Sequence, residues 1–599
     1  MVENTVLGDP LLVGYLYLPK EVKMKKNLTR RDVLTKIALF GGSASLIQAM
    51  GILGIGQIAS PAFAGIPYDP IASSDVGKGK KVAIIGAGLS GLTAAYELSL
   101  QGFECRIFEA DNRPKGRTFT VRPDGSPDSW YQESGRDAEV CNFNEIDGKG
   151  SLYFEAGAGR IPTHHTTVLE YCKKFDVKLE SFIFASRENL LRSDSFNKGQ
   201  PVSVRHFKHN LRAYLAEIFR TAHPACLESE MTQEDLDKLS SVGLNKFSEA
   251  FGDLDQCGNY TNRSRAGYKV PPGAGNTKGE YYEPFVFEDM LKADTIWSDQ
   301  LFNDMRHYWQ TSLMQPVGGI DKIAEAFMRQ ATPSGARIGN LIRLSRKVVN
   351  IKVSDDKVLL KLQHVNHLGR PLNKRTESFE ADYCISTIAP SLLNKIRNNF
   401  SSKFSTALKD GVSNVDACKV AWQSDRFWES PKNGIYGGIS WTSDDISQIW
   451  YPSTGFHNKR GILTGAYIRG GNAATFGKLS HKERVNKAIV EGRKLHKELD
   501  PTTREGLNAD GKPYNAVNKA MTIAWQNMPF QDGGWFSYTD EQRNNGYQTM
   551  LKGQKDRFFM AGDAMSYVSG WMEGALTAGV RAKDQVITNI LQRGNVKAG

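Results

Sequence analysis

The sequence has 599 residues, 40% hydrophobic and 24% charged, an ordinary globular composition with enough apolar mass for two or three domains. Its net charge of +11 comes without a basic stripe interleaved with aromatics, which argues against a nucleic-acid partner, and no repeat period supports a solenoid or coiled coil. The seven cysteines form no CxxC pair and no zinc-ligand spacing, so neither a metal centre nor a disulfide framework is implied.

Residues 1–64 contain paired arginines, Arg30 and Arg31, ahead of an uncharged stretch from Ile37 to Tyr68 that includes the small-x-small site Ala62-Phe63-Ala64. This resembles a twin-arginine export signal read by its own export machinery, and implies a periplasmic or secreted product. A retained N-terminal membrane anchor is the alternative, since the stretch exceeds the ~20 residues that span a bilayer.

From Lys81 the chain reads strand, turn, helix, strand. Val82-Ala83-Ile84-Ile85 is a continuous apolar run, as in a parallel strand covered on both faces. Gly86, Gly88 and Gly91 follow, then a helical stretch stopped by Gly102, and a second strand ending at Glu109. The first glycine permits the turn, the second lets backbone approach a pyrophosphate, and the third lets helix pack on strand. Glu109 is placed to take a ribose hydroxyl. The segment "EADNRPKGRTFT" follows, with Arg113, Gly116 and Arg117.

Residues 121–150 are a polar Gly/Ser/Asp-rich insertion, read as a surface loop that serves as a lid or an interface. "FEAGAGRIPTHH" next brings Gly157, Ala158, Gly159 and Arg160 to a strand end before a helix. A fixed guanidinium there suits a carboxylate, which it can grip with two parallel hydrogen bonds. His164 and His165 read as capping or surface residues rather than bases. Residues 185–310 are mostly amphipathic helix around a Gly/Asn/Pro loop. Gly318-Gly319 then precede a helix, "VVNIKVSDDKVLLKL" alternates as sheet, and "ADYCISTIAP" reads as a buried strand and turn. Toward the C-terminus come Lys419 in "KVAWQSDRFWE", Trp450-Tyr451-Pro452, and Trp525. The last segment is a short strand from Phe558, then Gly562-Asp563, Gly570-Trp571-Met572-Glu573-Gly574-Ala575 and a closing helix.

The two half-motifs at either end, Gly86 to Arg117 and Gly562 to Ala575, resemble the FAD signatures of the flavin monoamine oxidase and L-amino-acid oxidase family. Lys115 stands where that family carries the first of two paired glycines. The resemblance implies an α/β fold: a doubly wound FAD-binding domain assembled from discontinuous segments, with a mixed-sheet and helical substrate domain. FAD-binding segments are expected at 65–120, 311–400 and 531–599, and substrate-domain segments at 151–310 and 401–530. It implies FAD contacts from Gly562, Asp563, Gly570, Trp571, Gly574 and Ala575, and from the Gly157–Arg160 strand end. It also implies Arg160 as carboxylate clamp, Trp571 as an aromatic wall, Lys419 as the lysine that reaches flavin N5 through a water, and Tyr451 or Trp450 as a second carboxylate contact; strand alternation lets only one of these two line the pocket, and the family's Tyr-Pro pair favours Tyr451. The implied reaction is oxidative deamination of an L-amino acid with oxygen, giving a 2-oxo acid, ammonia and hydrogen peroxide, in a monomer or a homodimer. An amino-acid 2-monooxygenase, an amine or polyamine oxidase, and a flavoprotein isomerase remain alternatives.

Overall fold

The structure, a computed structural model, describes residues 75–144, 152–227, 266–293 and 309–598. The arginine pair and all of residues 1–64 lie outside the described residues.

The chain divides into two compact units, and the larger combines Pro70–Ser203 with Ala293–Gly599. Its nucleus is a five-stranded parallel sheet in the order Ile342–Arg343, Glu104–Phe108, Lys81–Ile85, Tyr383–Ser386, Phe558–Met560. Four separate stretches of chain therefore build one sheet. The strand Lys81–Ile85 is buried from its second residue onward, because it is the middle strand and both of its faces are covered. Helix Leu89–Leu100 starts directly after it. A Cβ on Gly91 would fall 2.1 Å from the Gly86 carbonyl oxygen, so only glycine allows this helix to leave the strand so tightly. The C-terminal helix Met572–Ala598 crosses it closely, and a Cβ on Gly579 would lie 2.7 Å from the Ser90 carbonyl oxygen.

A seven-stranded mixed sheet forms the second layer of this unit. Its order is Asn515–Ala524, Ala417–Asp425, Arg460–Arg469, Gln448–Tyr451, Gly438–Thr442, Leu190–Arg192, Val202–Ser203. All its pairs are antiparallel except Gly438–Thr442 with Leu190–Arg192. A separate four-stranded sheet is built around the meander Arg346–Val353, Val358–Val365 and Pro371–Ala381 and packs on the parallel sheet through Phe379 against Phe108.

The insertion corrects its reading as a surface loop. Trp130–Gln132 and Ala138–Val140 form an antiparallel hairpin, and Tyr131, Cys141 and Phe143 share a core with Met521, Ile523 and Trp525. Its polar residues are used internally. Glu133 accepts two hydrogen bonds from Arg484, at 2.6 and 2.7 Å, with both side chains buried. Polar composition misleads here because buried charges that pair with each other look the same in sequence as solvated ones.

The second unit includes Val204–Lys292 and so begins later than the 151–310 segment expected from sequence. Its described part holds the long helix Val204–Leu227, a short hairpin (Tyr268–Val270 with Glu280–Tyr281) and helix Phe287–Leu291. His206 Nε2 lies 2.9 Å from the Glu283 carbonyl oxygen, and the His206 ring stacks on Tyr282.

Candidate active site

A cavity of about 630 Å³ opens along the C-terminal ends of the parallel strands, where open α/β sheets hold ligands. Gly86, Gly88, Glu109, Arg117, Gly157, Ala158, Lys419, Gly562, Asp563, Gly570, Trp571 and Ala575 line it. Gly91 and Gly574 serve close packing instead; a Cβ on Gly574 would sit 2.2 Å from the Val568 carbonyl oxygen. Gly159 lies at the back of the strand end, with Trp450.

Glu109 is fixed at the end of its strand. Its two carboxylate oxygens accept the backbone N–H groups of Ala87 (2.8 Å) and Asp111 (2.9 Å), while burial raises its pKa to about 7. Lys115 adopts φ +88°, in the region that favours glycine. Its side chain turns into an acidic cluster, with Nζ at 2.5 Å from Asp128, 3.0 Å from Asp321 and 3.1 Å from Glu325. Three carboxylates thus hold the lysine that replaces a glycine, and Gly116 beside it remains free to approach Gly88.

The two half-motifs meet at this cavity. Arg117 donates to both oxygens of Asp563 and, at 2.7 Å, to the Gly534 carbonyl. Asp563 also accepts the Gly570 N–H at 3.1 Å, and the Gly562 N–H donates to Ser90 Oγ at 2.9 Å.

Lys419 lies in the buried strand Ala417–Asp425 and donates to the carbonyl oxygens of Glu155 and Gly157, both at 2.7 Å. Burial pushes its pKa down to about 7; Glu155 opposes the shift and Arg160 adds to it. Arg160 stands in an aromatic cage, its guanidinium carbon 4.4 Å from the Trp450 ring, 4.5 Å from Trp309 and 5.4 Å from Phe184. Its Nη1 is buried and has no hydrogen-bond partner, and among the described residues no carboxylate forms an ion pair with it. Burial lowers its pKa to about 10, which leaves it charged at neutral pH. Trp571 continues the aromatic wall 5.2 Å from Trp309, with His165 edge-on to it at 5.0 Å.

Tyr451 corrects the expectation of a carboxylate contact. It is fully buried, and its hydroxyl bonds to Ser440 Oγ (2.7 Å) and His496 Nε2, on the face of the strand away from Arg160. Strand alternation gives the Arg160 side to Trp450 instead. Sequence reading missed Tyr467, which pairs directly across from Lys419 and lies 4.8 Å from Trp450. It also missed Trp535, which packs on Gly570 and lines the cavity.

The family profile described as flavin containing amine oxidoreductase matches residues 89–587. The chain belongs to that family. Among its relatives, L-amino-acid oxidase BmooLAAO-I of Bothrops moojeni is 26% identical over 530 residues, covering 85% of this chain and 89% of the relative. The L-amino-acid oxidase of Bothrops atrox is likewise 26% identical, with 85% and 88% covered. YobN of Bacillus subtilis is 23% identical, with 85% and 94% covered. In fold the chain is similar to putrescine oxidase bound to putrescine (TM-score 0.51, 16% identity, covering 85% of this chain and 99% of that one). It is similar also to cyclohexylamine oxidase from Brevibacterium oxydans (TM-score 0.50, 16% identity, 86% and 99% covered).

As a flavin-containing amine oxidoreductase, the protein is an FAD-dependent enzyme acting on a CH–NH2 group. Its residues fit that cofactor. A Cβ on Gly88 would meet nothing nearer than 4.0 Å, so backbone is bare to the cavity there, and Glu109 presents a fixed carboxylate beside it. Among the described residues no cluster of His, Cys, Asp and Glu is arranged to hold a metal ion, and no helix is long and apolar enough to cross a membrane.

Proposed function

We propose that this flavin enzyme is an L-amino-acid oxidase, converting an L-amino acid, oxygen and water to a 2-oxo acid, ammonia and hydrogen peroxide. The observation that carries the reading is Arg160: a charged guanidinium in an aromatic cage whose buried Nη1 lacks a partner. A substrate carboxylate supplies the missing acceptor and the countercharge. Relatives named L-amino-acid oxidase over most of the chain support it.

When bound, FAD would supply the two-electron acceptor for oxidation of the Cα–NH2 group and the link to oxygen. Gly86, Gly88, Glu109, Arg117, Asp563 and Gly570, which line the cavity, would hold it. Arg160 fixes the carboxylate, and with it the direction of the Cα–H bond. Trp309, Trp450 and Trp571 exclude water around the clamp and strengthen its charge. Lys419, held by two carbonyls and pushed toward neutrality, keeps an ammonium or amine at a fixed point on the cavity wall.

The test is oxygen uptake and peroxide formation with L-amino acids and with the matching decarboxylated amines. Peroxide and 2-oxo acid from the amino acid alone support the reading. Turnover of the amine makes the enzyme an amine oxidase, and an amide product makes it a 2-monooxygenase. Bound flavin with no oxygen uptake points to an isomerase.

Export by a twin-arginine route belongs to the same proposal, on the sequence of residues 1–64. Fusing those residues to a reporter and replacing Arg30 and Arg31 by lysine tests it; export that persists rejects that route. Assembly as a homodimer is tested by light scattering.

A further inference from the structure

We propose that the insertion hairpin is a latch that retains FAD, acting through the turn 366–370 at the Glu109 end of the cavity. The turn is a rigid unit. Asn366 Oδ1 accepts the N–H groups of Leu368 (3.1 Å) and Arg370 (2.9 Å), and Gly369 sits at φ +77°. Leu368 and Gly369 line the cavity beside Lys347 and Val348, next to the strand whose Arg346 N–H bonds the Glu109 carbonyl at 2.7 Å. Across the cavity mouth Gly369 meets Phe530, where a Cβ would lie 3.0 Å from the ring.

What holds this turn is the hairpin. His367 Nε2 donates to Gln132 Oε1 at 2.7 Å, and the Trp130 ring meets the His367 ring edge-on at 5.0 Å. The Gln132 amide is oriented for this, since its Nε2 donates to the Arg136 carbonyl at 2.6 Å and leaves Oε1 facing His367. The hairpin in turn is pinned to the helix His481–Gly492 by the buried Glu133–Arg484 pair and to the substrate-side sheet by the Ala524 N–H, which donates to Glu133 Oε1 at 2.8 Å, while the Ser134 N–H donates to the Asn527 carbonyl at 2.9 Å. Ser134 itself reaches the cavity lining. One wall of the cofactor cleft is thereby fastened to the other through Gln132 and His367. A ligand as long as FAD leaves only when this fastening opens, so the bond acts on the release rate.

The test follows flavin fluorescence as FAD leaves the diluted holoenzyme. Gln132→Ala and His367→Ala each speed release roughly 3- to 10-fold, the scale of one lost hydrogen bond. The double variant is no faster than either single one, because both remove the same contact. His367→Gln, which keeps a donor near the Nε2 position, returns toward the wild-type rate. Release unchanged in both single variants overturns the proposal, as do effects that multiply in the double variant or a His367→Gln protein as fast as His367→Ala. The readout involves no amine substrate, so it stands or falls separately from the L-amino-acid reading.

Discussion

Arg117 and Asp563 stand 446 positions apart in the chain and form a two-point ion pair on the cofactor cavity. The pair joins the first and last segments of the FAD site, and Asp563 also fixes the Gly570 N–H. Asp563→Asn keeps the shape but removes the charge that Arg117 reads. We expect FAD affinity to fall about 10- to 100-fold, the weight of a charge-assisted hydrogen bond. Fluorescence titration and the flavin content of the purified protein measure it.

Arg160 is expected to discriminate amino acids from amines. Arg160→Met removes the carboxylate's partner, and kcat/KM for L-amino acids should drop roughly 100- to 1000-fold, mostly through KM. Arg160→Lys should recover little, because an ammonium lacks the planar fork. Steady-state kinetics on an amino acid and its amine check both, with the amine expected to be indifferent to either change.

Lys419 gives a pH signature. Its pKa in the folded protein is lowered to about 7 by burial, whereas an unfolded lysine titrates near 10.4. Between those values the unfolded chain binds the extra proton, so this group's contribution to stability rises with pH across that window and is flat below it. Melting temperatures of the wild type and Lys419→Met, compared from pH 7 to 10, should therefore shift in favour of the wild type as pH rises. A constant difference would mean that the lysine is not buried in the way its two carbonyl partners indicate.

Tyr451 and Trp450 should separate cleanly. Tyr451→Phe deprives Ser440 and His496 of a buried partner and is expected to cost about 1–2 kcal/mol of stability, with KM unchanged. Trp450→Ala, which strips one side of the Arg160 cage, should raise KM for the amino acid. Thermal melts and kinetics on both variants decide the assignment.

Some of this was legible in the sequence because the chemistry is local. Gly86 to Glu109 and Gly562 to Ala575 each carry their turn, their strand end and their helix start within one short stretch, and each needs nothing remote to be recognised. A doubly wound domain built from discontinuous segments followed from the resemblance they carry, whereas the strand order, with Ile342–Arg343 at one edge, did not. The choice between Trp450 and Tyr451 was not local. Adjacent strand residues face opposite ways, and which face meets Arg160 depends on how Gln448–Tyr451 lies against Arg460–Arg469. That strand is bulged, with the register shifting between Val420 and Ala421 of its partner. The shift also brings Tyr467 opposite Lys419, which strict alternation along one strand does not reveal. Lys115 was readable as a departure but not as a resolved one, because its three carboxylates come from Asp128 in the insertion, from Asp321 at the start of the helix Lys322–Arg329 and from Glu325 within it.

The parallel sheet has one further consequence, for truncated chains. Its edge strand, Phe558–Met560, and the Asp563 that follows it come close to the end of a 599-residue chain. A chain that stops at Lys555 has only four of the five strands and no Asp563 to pair with Arg117. A chain cut back to Lys555 is therefore expected to lose FAD, because Gly562, Asp563 and Gly570 are missing from the cavity wall.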